Sequence, residues 1–93
     1  MPPVDIAVLF GENVARCRER SELTQEELGI RAGLHRTEIS QLERGLRVAR
    51  IDTLIKLAGA LGVAPAELIA GIEWTPAKMT PGSFSVARAQ SGA

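Results

Sequence analysis

The stretch TQEELGIRAGLHRTEISQLERG, Thr24 to Gly45, decides the fold. It opens on Thr24 with Glu27 three residues later, a T-x-x-E pattern in which a hydroxyl and a carboxylate satisfy the free N–H groups at a helix start. Leu23, just before the cap, is placed to staple against Leu28. Gly33 follows Ala32 at the point where a helix ends in a left-handed residue, a conformation that costs glycine least. Leu34 is the buried residue of the turn. A following helix runs from about Arg36 to Arg44, with Ile39 and Leu42 inward, and Gly45 stops it. Gly29 is a small residue where the two helices must cross closely. Leu28, Ala32, Leu34, Ile39 and Leu42 bury one side of both helices, and the front of the later helix stays polar.

Working outward, Ile6, Leu9, Phe10, Val14 and Cys17 recur at spacings of three and four, which makes Asp5 to Arg20 an amphipathic helix. Leu46–Arg50 reads as a loop. Ile51 to Leu61 is a fourth helix with Leu54, Leu57, Ala58 and Leu61 inward, ended by Gly62. Pro65 suits the first turn of a short fifth helix that stops before Gly71. Beyond it, Ile72-Glu73-Trp74-Thr75 and Phe84-Ser85-Val86 alternate around Pro76, Pro81 and Gly82, which predicts a weak β-hairpin or two extended arms. Residues 1–4 are expected to fray and 88–93 to be disordered. The chain thus divides into an all-α domain over 5–71 and an extension over 72–93.

The chain has 93 residues, enough for one modest core. Aromatics are 3 % with no tyrosine, so Leu, Ile, Val and Ala must supply the buried area. Formal net charge is zero, against the basic balance usual in a nucleic-acid binder. Local charge is what a partner meets, however, and Arg36, Arg44, Arg47 and Arg50 fall within fifteen positions, opposed there only by Glu38 and Glu43. The single Cys17, on the apolar stripe, excludes an internal disulfide framework. With His35 it makes too few ligands for zinc, so no metal and no cofactor is expected. His35 has no evident nucleophile partner and Ser40 lies on an exposed helix face, so the chain is not read as an enzyme. No basic leader precedes the short apolar run near the start, and no apolar run approaches the ~20 residues of a membrane span. A cytoplasmic protein with no membrane partner is the expectation.

A helix wedged upright by apolar residues and fronted by Arg, Thr, Glu and Gln fits the DNA major groove. At this point the stretch from Thr24 to Gly45 closely resembles the helix-turn-helix of the phage repressor/Cro-like family, also called the Xre family. The likeness extends back to Phe10-Gly11 and forward through LIKLAGALGVAPAELIAG, Leu54–Gly71. It implies a five-helix bundle of the lambda-repressor-like type that binds double-stranded DNA, usually as a symmetric dimer on a palindromic operator. Carried onto this chain, base readout falls on Arg36, Thr37 and Gln41. Arginine grips guanine O6 and N7, glutamine pairs with adenine, and threonine offers a hydroxyl and a methyl to thymine. Glu38 accepts from cytosine N4 or screens Arg36. His35 touches phosphate or base. The resemblance assigns Gln25 to a backbone phosphate, helped by the positive end of its helix. Ser40, Arg44, Arg47 and Arg50 are further phosphate candidates, which set register and not preference. Arg18 and Glu43 stand where several family members hold a buried ion pair; the alternative is one surface charge each. Glu22 stands where the family usually has glycine, and Ala49-Arg50 replace a common Pro-Ser, so the fourth helix lacks its usual cap unless Asp52 or a loop group substitutes.

Trp74 and Phe84 either cap the monomer core or build a dimer contact with Leu61, Val63, Leu68 and Ile69. The leading expectation is a homodimeric, sequence-specific transcriptional regulator, resident with the nucleoid through its DNA. Two alternatives remain open: an antitoxin or restriction–modification controller, whose extension from Ile72 would be a toxin-binding or dimerising arm, and a protein-interaction module that does not bind DNA.

Overall fold

The computed structural model describes residues 5–88. It places α1 at Ile6–Arg20, α2 at Gln25–Ala32, α3 at Arg36–Glu43, α4 at Ile51–Leu61 and α5 at Pro65–Leu68, followed by β1 (Ile72–Thr75) and β2 (Ser83–Val86). Each start has a local cause. The Asp5 carboxylate accepts from the Ala7 and Val8 amides ahead of α1. Thr24 Oγ1 accepts from the Glu27 amide at 3.0 Å while Glu27 Oε1 accepts from the Thr24 amide at 2.9 Å, so the T-x-x-E box is formed on both sides. Leu23 and Leu28 on either side of that box lie in the same buried cluster.

The first four helices also end alike. A residue in the left-handed region donates back three residues, and its successor donates back five, which satisfies carbonyls the helix leaves free. Gly33, Gly45 and Gly62 hold that position after α2, α3 and α4. After α1 it is Glu22, at φ 59°, the one described residue other than glycine with a positive φ. A side chain there costs about 1 kcal/mol, so the departure from the family pattern carries a local cost and leaves the turn intact.

The core gathers from all five helices around Val14, Leu28, Ile39, Leu57 and Leu68, each fully buried. Gly11 lets α1 lie directly on the end of α3: a Cβ there would collide with the Leu42 carbonyl oxygen. Gly29 is crowded differently from the expectation. Its neighbour is the Leu34 carbonyl, 2.6 Å from a built Cβ, so the residue serves the tightness of the turn itself. Leu34 is half-buried against the core and not fully enclosed.

The extension folds as the antiparallel hairpin, with Ile72 opposite Val86 and Trp74 opposite Phe84. Alternation puts those four apolar side chains on one face and Glu73, Thr75, Ser83 and Ser85 on the other. Trp74 and Phe84 meet edge-to-face at 5.0 Å. The hairpin is tied back to the bundle at its root. The Ala87 amide donates to the Gly71 carbonyl at 2.7 Å, and Arg88 makes a two-pronged contact with Glu12 on α1 at 2.7 and 2.9 Å. Arg88, expected to be disordered, is therefore placed by an ion pair; residues 89–93 and the frayed start expected at 1–4 lie outside the described residues.

Candidate nucleic-acid interface

The back of α3 is locked. Ile39 is 0 % exposed and Leu42 3 %, while Arg36 and Thr37 are exposed and Ser40 and Gln41 half-buried on the opposite side. The helix begins on a cap that the sequence expectation did not identify. His35 Nδ1 accepts from the Thr37 amide at 3.0 Å, and Glu38 Oε1 accepts from the His35 amide at 3.3 Å. These two residues, expected on phosphate or base, are engaged with the backbone of the helix start. The carboxylate also sits where the helix dipole favours negative charge. Glu38 is thus a capping residue and His35 an N-cap, while Glu38 Oε2 and His35 Nε2 make no hydrogen bond among the described residues. The signal was present as a polar residue three positions ahead of glutamate, although histidine is not among the favoured capping types.

The far end of α3 is anchored by Glu43. Its carboxylate receives Arg18 Nε at 2.6 Å and Arg18 Nη2 at 3.0 Å, and Arg18 Nη1 donates to the Leu23 carbonyl at 2.8 Å. The side chains are only 14 % and 7 % exposed, so this is an interior pair shielded from water that joins α1, α3 and the turn before α2. Hydrogen bonding to Glu43 raises the Arg18 pKa above its ordinary value, against the opposing effect of burial. Gln25 joins the same carboxylate, its Nε2 donating to Glu43 Oε1 at 3.1 Å. A carboxylate only accepts, so the amide nitrogen must face it, and one N–H of Gln25 remains for a second acceptor.

The remaining cations surround the front of α3. Arg36 has no ion-pair or hydrogen-bond partner among the described residues. Arg44 Nε donates to the Ser40 carbonyl at 3.3 Å, which lays its stem along the helix. Arg47 reaches back from the loop to donate to Gln41 Oε1 at 3.3 Å. Arg50 is the N-cap residue of α4 and contributes no side-chain cap. Its Nε lies 3.4 Å from Asp52, whose Oδ1 accepts from the Thr53 amide at 3.0 Å, so Asp52 takes over one N–H of the uncapped start. Arg47 and Arg50 line one shallow cleft with Glu38 beside α3.

The apolar residues assigned to a dimer contact separate into two groups. Leu68 is 0 % exposed and Leu61 8 %, because α4 and α5 turn both into the monomer core; neither offers surface to a second chain. Val63 is half-buried, and Ile69, Trp74 and Phe84 are exposed. Ile69 and Phe84 border an apolar groove of about 620 Å³ that also involves Ile6, Phe10, Ile51 and Leu54. Ile51 and Ile55, one turn apart on the outside of α4, extend this apolar surface; they were legible as outward residues once the inward stripe of α4 was assigned. Asn13 was missed as well. It is 1 % exposed, and its Nδ2 donates to the Leu68 and Ala70 carbonyls at 3.0 Å each, which closes the end of α5 against α1. Its signal was a polar residue inside the apolar stripe of α1.

Comparison with known proteins follows this geometry. A family model described as helix-turn-helix matches residues 14–68. The HTH-type transcriptional regulator y4dJ of Sinorhizobium fredii is 44 % identical over 73 residues, covering 78 % of this chain and 95 % of that protein. The control protein C.BamHI of Bacillus amyloliquefaciens is 42 % identical over 66 residues, 70 % of this chain and 82 % of the relative. Among solved structures, the P22 c2 repressor in complex with a synthetic operator superposes with a TM-score of 0.63 at 32 % identity, covering 68 % of this chain and 96 % of the repressor. The matched segment runs from the middle of α1 to the end of α5 and contains the turn, the cap and the anchored α3 described above; the chain belongs to the Cro/C1-type, or Xre, helix-turn-helix family.

Proposed function

We propose that this protein is a sequence-specific transcriptional regulator that inserts α3 into the DNA major groove. The observation that carries the reading is the orientation of α3. Ile39 and Leu42 are sealed into the core, which leaves Arg36, Thr37 and Gln41 as the outward front. Arg36 is uncommitted to any described partner and presents five donors in a fixed fork, the geometry that suits guanine O6 and N7. Arg44, Arg47, Arg50 and the free N–H of Gln25 are the phosphate contacts of this reading, with Ser40 beside them. They hold register and make affinity fall with salt.

The active species is a homodimer. Ile69, Phe84 and Trp74, with the neighbouring groove, supply apolar surface that a second copy would cover. Two copies of α3 would then sit about 34–36 Å apart on a palindrome. A cytoplasmic location follows from a DNA partner; no helix among the described residues is long and apolar enough to cross a membrane. Relatives named as control proteins, C.BamHI and the restriction–modification controller C.AhdI of Aeromonas hydrophila, favour a controller of restriction–modification genes as the specific biological role. The test is selection of bound sites from a random duplex library. A palindrome with half-sites one turn apart supports the reading, and no enrichment at any salt sinks it in favour of a protein-interaction module.

A further inference from the structure

We infer that Arg47 sets base preference indirectly, by turning the Gln41 side-chain amide so that its NH2 group meets the base pair. This inference rests on the DNA-binding reading above. Arg47 Nη1 lies 3.3 Å from Gln41 Oε1. A guanidinium has donors and no acceptor, so the Gln41 atom facing it has to be the carbonyl oxygen; the reversed amide would set N–H against N–H. The orientation is therefore fixed by chemistry as well as by placement. Gln41 Nε2 makes no hydrogen bond among the described residues and remains the unspent end of the amide.

The consequence is a change in what Gln41 reads. Glutamine recognises adenine with both ends at once, its oxygen accepting from N6 and its nitrogen donating to N7. With Oε1 drawn to the loop cation, the donor end dominates. Guanine presents two adjacent acceptors, O6 and N7, whereas adenine pairs its one acceptor, N7, with an N6 donor that opposes the second N–H of the amide. Arg47 is thus a positioning residue that selects guanine, in a G·C pair, at the Gln41 position, in contrast to the adenine expected of an unconstrained glutamine.

The experiment is parallel site selection from a random duplex library with the full chain as wild type, Gln41→Ala, Arg47→Met and Arg47→Ala. The pair whose preference Gln41→Ala flattens is the one Gln41 faces. Wild type is expected to select a G·C pair there. Both Arg47 variants should raise the adenine-to-guanine ratio at that pair by about fivefold or more. Arg47 also contributes phosphate affinity, so its variants are selected at higher protein concentration; a uniform loss of affinity leaves the ratio at one pair unchanged. An A·T pair in either orientation at that position of the wild-type site, or unaltered ratios in both Arg47 variants, overturns the inference while leaving DNA binding standing. If wild type enriches no sequence at all, the DNA reading itself falls and this inference falls with it.

Discussion

Replacing Glu43 with leucine leaves the Arg18 guanidinium facing an apolar group in a place that is 14 % open to water. Three hydrogen bonds hold Arg18 in the native protein, two to Glu43 and one to the Leu23 carbonyl, and the substitution removes the two charged ones. Stranding one member of an interior pair costs about 3–5 kcal/mol; the residual exposure of Arg18 puts this case near 3. In a chain of this size each kcal/mol moves the melting temperature by about 4–8 °C, so Glu43→Leu should lower it by about 12–24 °C. Arg18→Met alone strands Glu43 and should cost a similar amount. The double variant, Arg18→Met with Glu43→Leu, should recover most of the loss, because a matched apolar pair needs no desolvated charge. Urea melts followed by circular dichroism on the four proteins close the double-mutant cycle. A cost for Glu43→Leu below about 1 kcal/mol, the range of exposed pairs, would show that water screens the pair. A double variant as unstable as the sum of the single losses would refute the coupling outright.

Other expectations follow from the same contacts. Glu22→Gly should raise stability by about 0.5–1 kcal/mol in thermal melts, since it relieves a left-handed residue at the end of α1; an equal gain from Glu22→Ala, which keeps the Cβ, would contradict that cause. Arg36→Ala should weaken the selected operator by about 1–3 kcal/mol and relax one base pair, whereas Arg44→Ala should weaken every sequence alike and lower the salt slope by about 1. These are read by titrating matched and scrambled duplexes at several salt concentrations, and equal patterns for the two variants would merge the assigned roles. The hydrogen bond from Arg88 lowers the Glu12 pKa, and the backbone hydrogen bond with Thr24 lowers that of Glu27. A lowered folded pKa gives stability that is present above the unfolded carboxylate range and lost as pH falls through the folded value. The stability difference between wild type and Arg88→Ala should therefore shrink on acidification; a difference that persists undiminished in strong acid would exclude the Glu12 clasp as its source.

The parts legible in the sequence were those whose causes are local. Thr24 with Glu27, and Gly33 after Ala32, lie within a turn of the bonds they make, so type and spacing were enough to place α2. Ile39 and Leu42 face inward by helical period alone, and that single fact orients Arg36, Thr37 and Gln41 outward. The contacts that escaped join distant positions. Arg88 and Glu12 are 76 residues apart, and Asn13 reaches carbonyls 55 and 57 residues away. The errors at Leu61 and Leu68 have the same origin. Periodicity marks a residue as apolar and on one face, but whether the core of the same chain already consumes that face depends on how α4 and α5 close against α1. The capping roles of His35 and Glu38 escaped because histidine is not among the favoured capping types.

Methylation interference on the selected operator tests the account most directly. Methyl groups at guanine N7 project into the major groove and those at adenine N3 into the minor groove, where readout is degenerate. The wild-type protein should be blocked by N7 methylation at one or more guanines in each half-site, and Arg36→Ala should lose that block at a single guanine per half. Interference confined to adenine N3, or an N7 pattern untouched by Arg36→Ala, would mean that the front of α3 is not what reads the DNA.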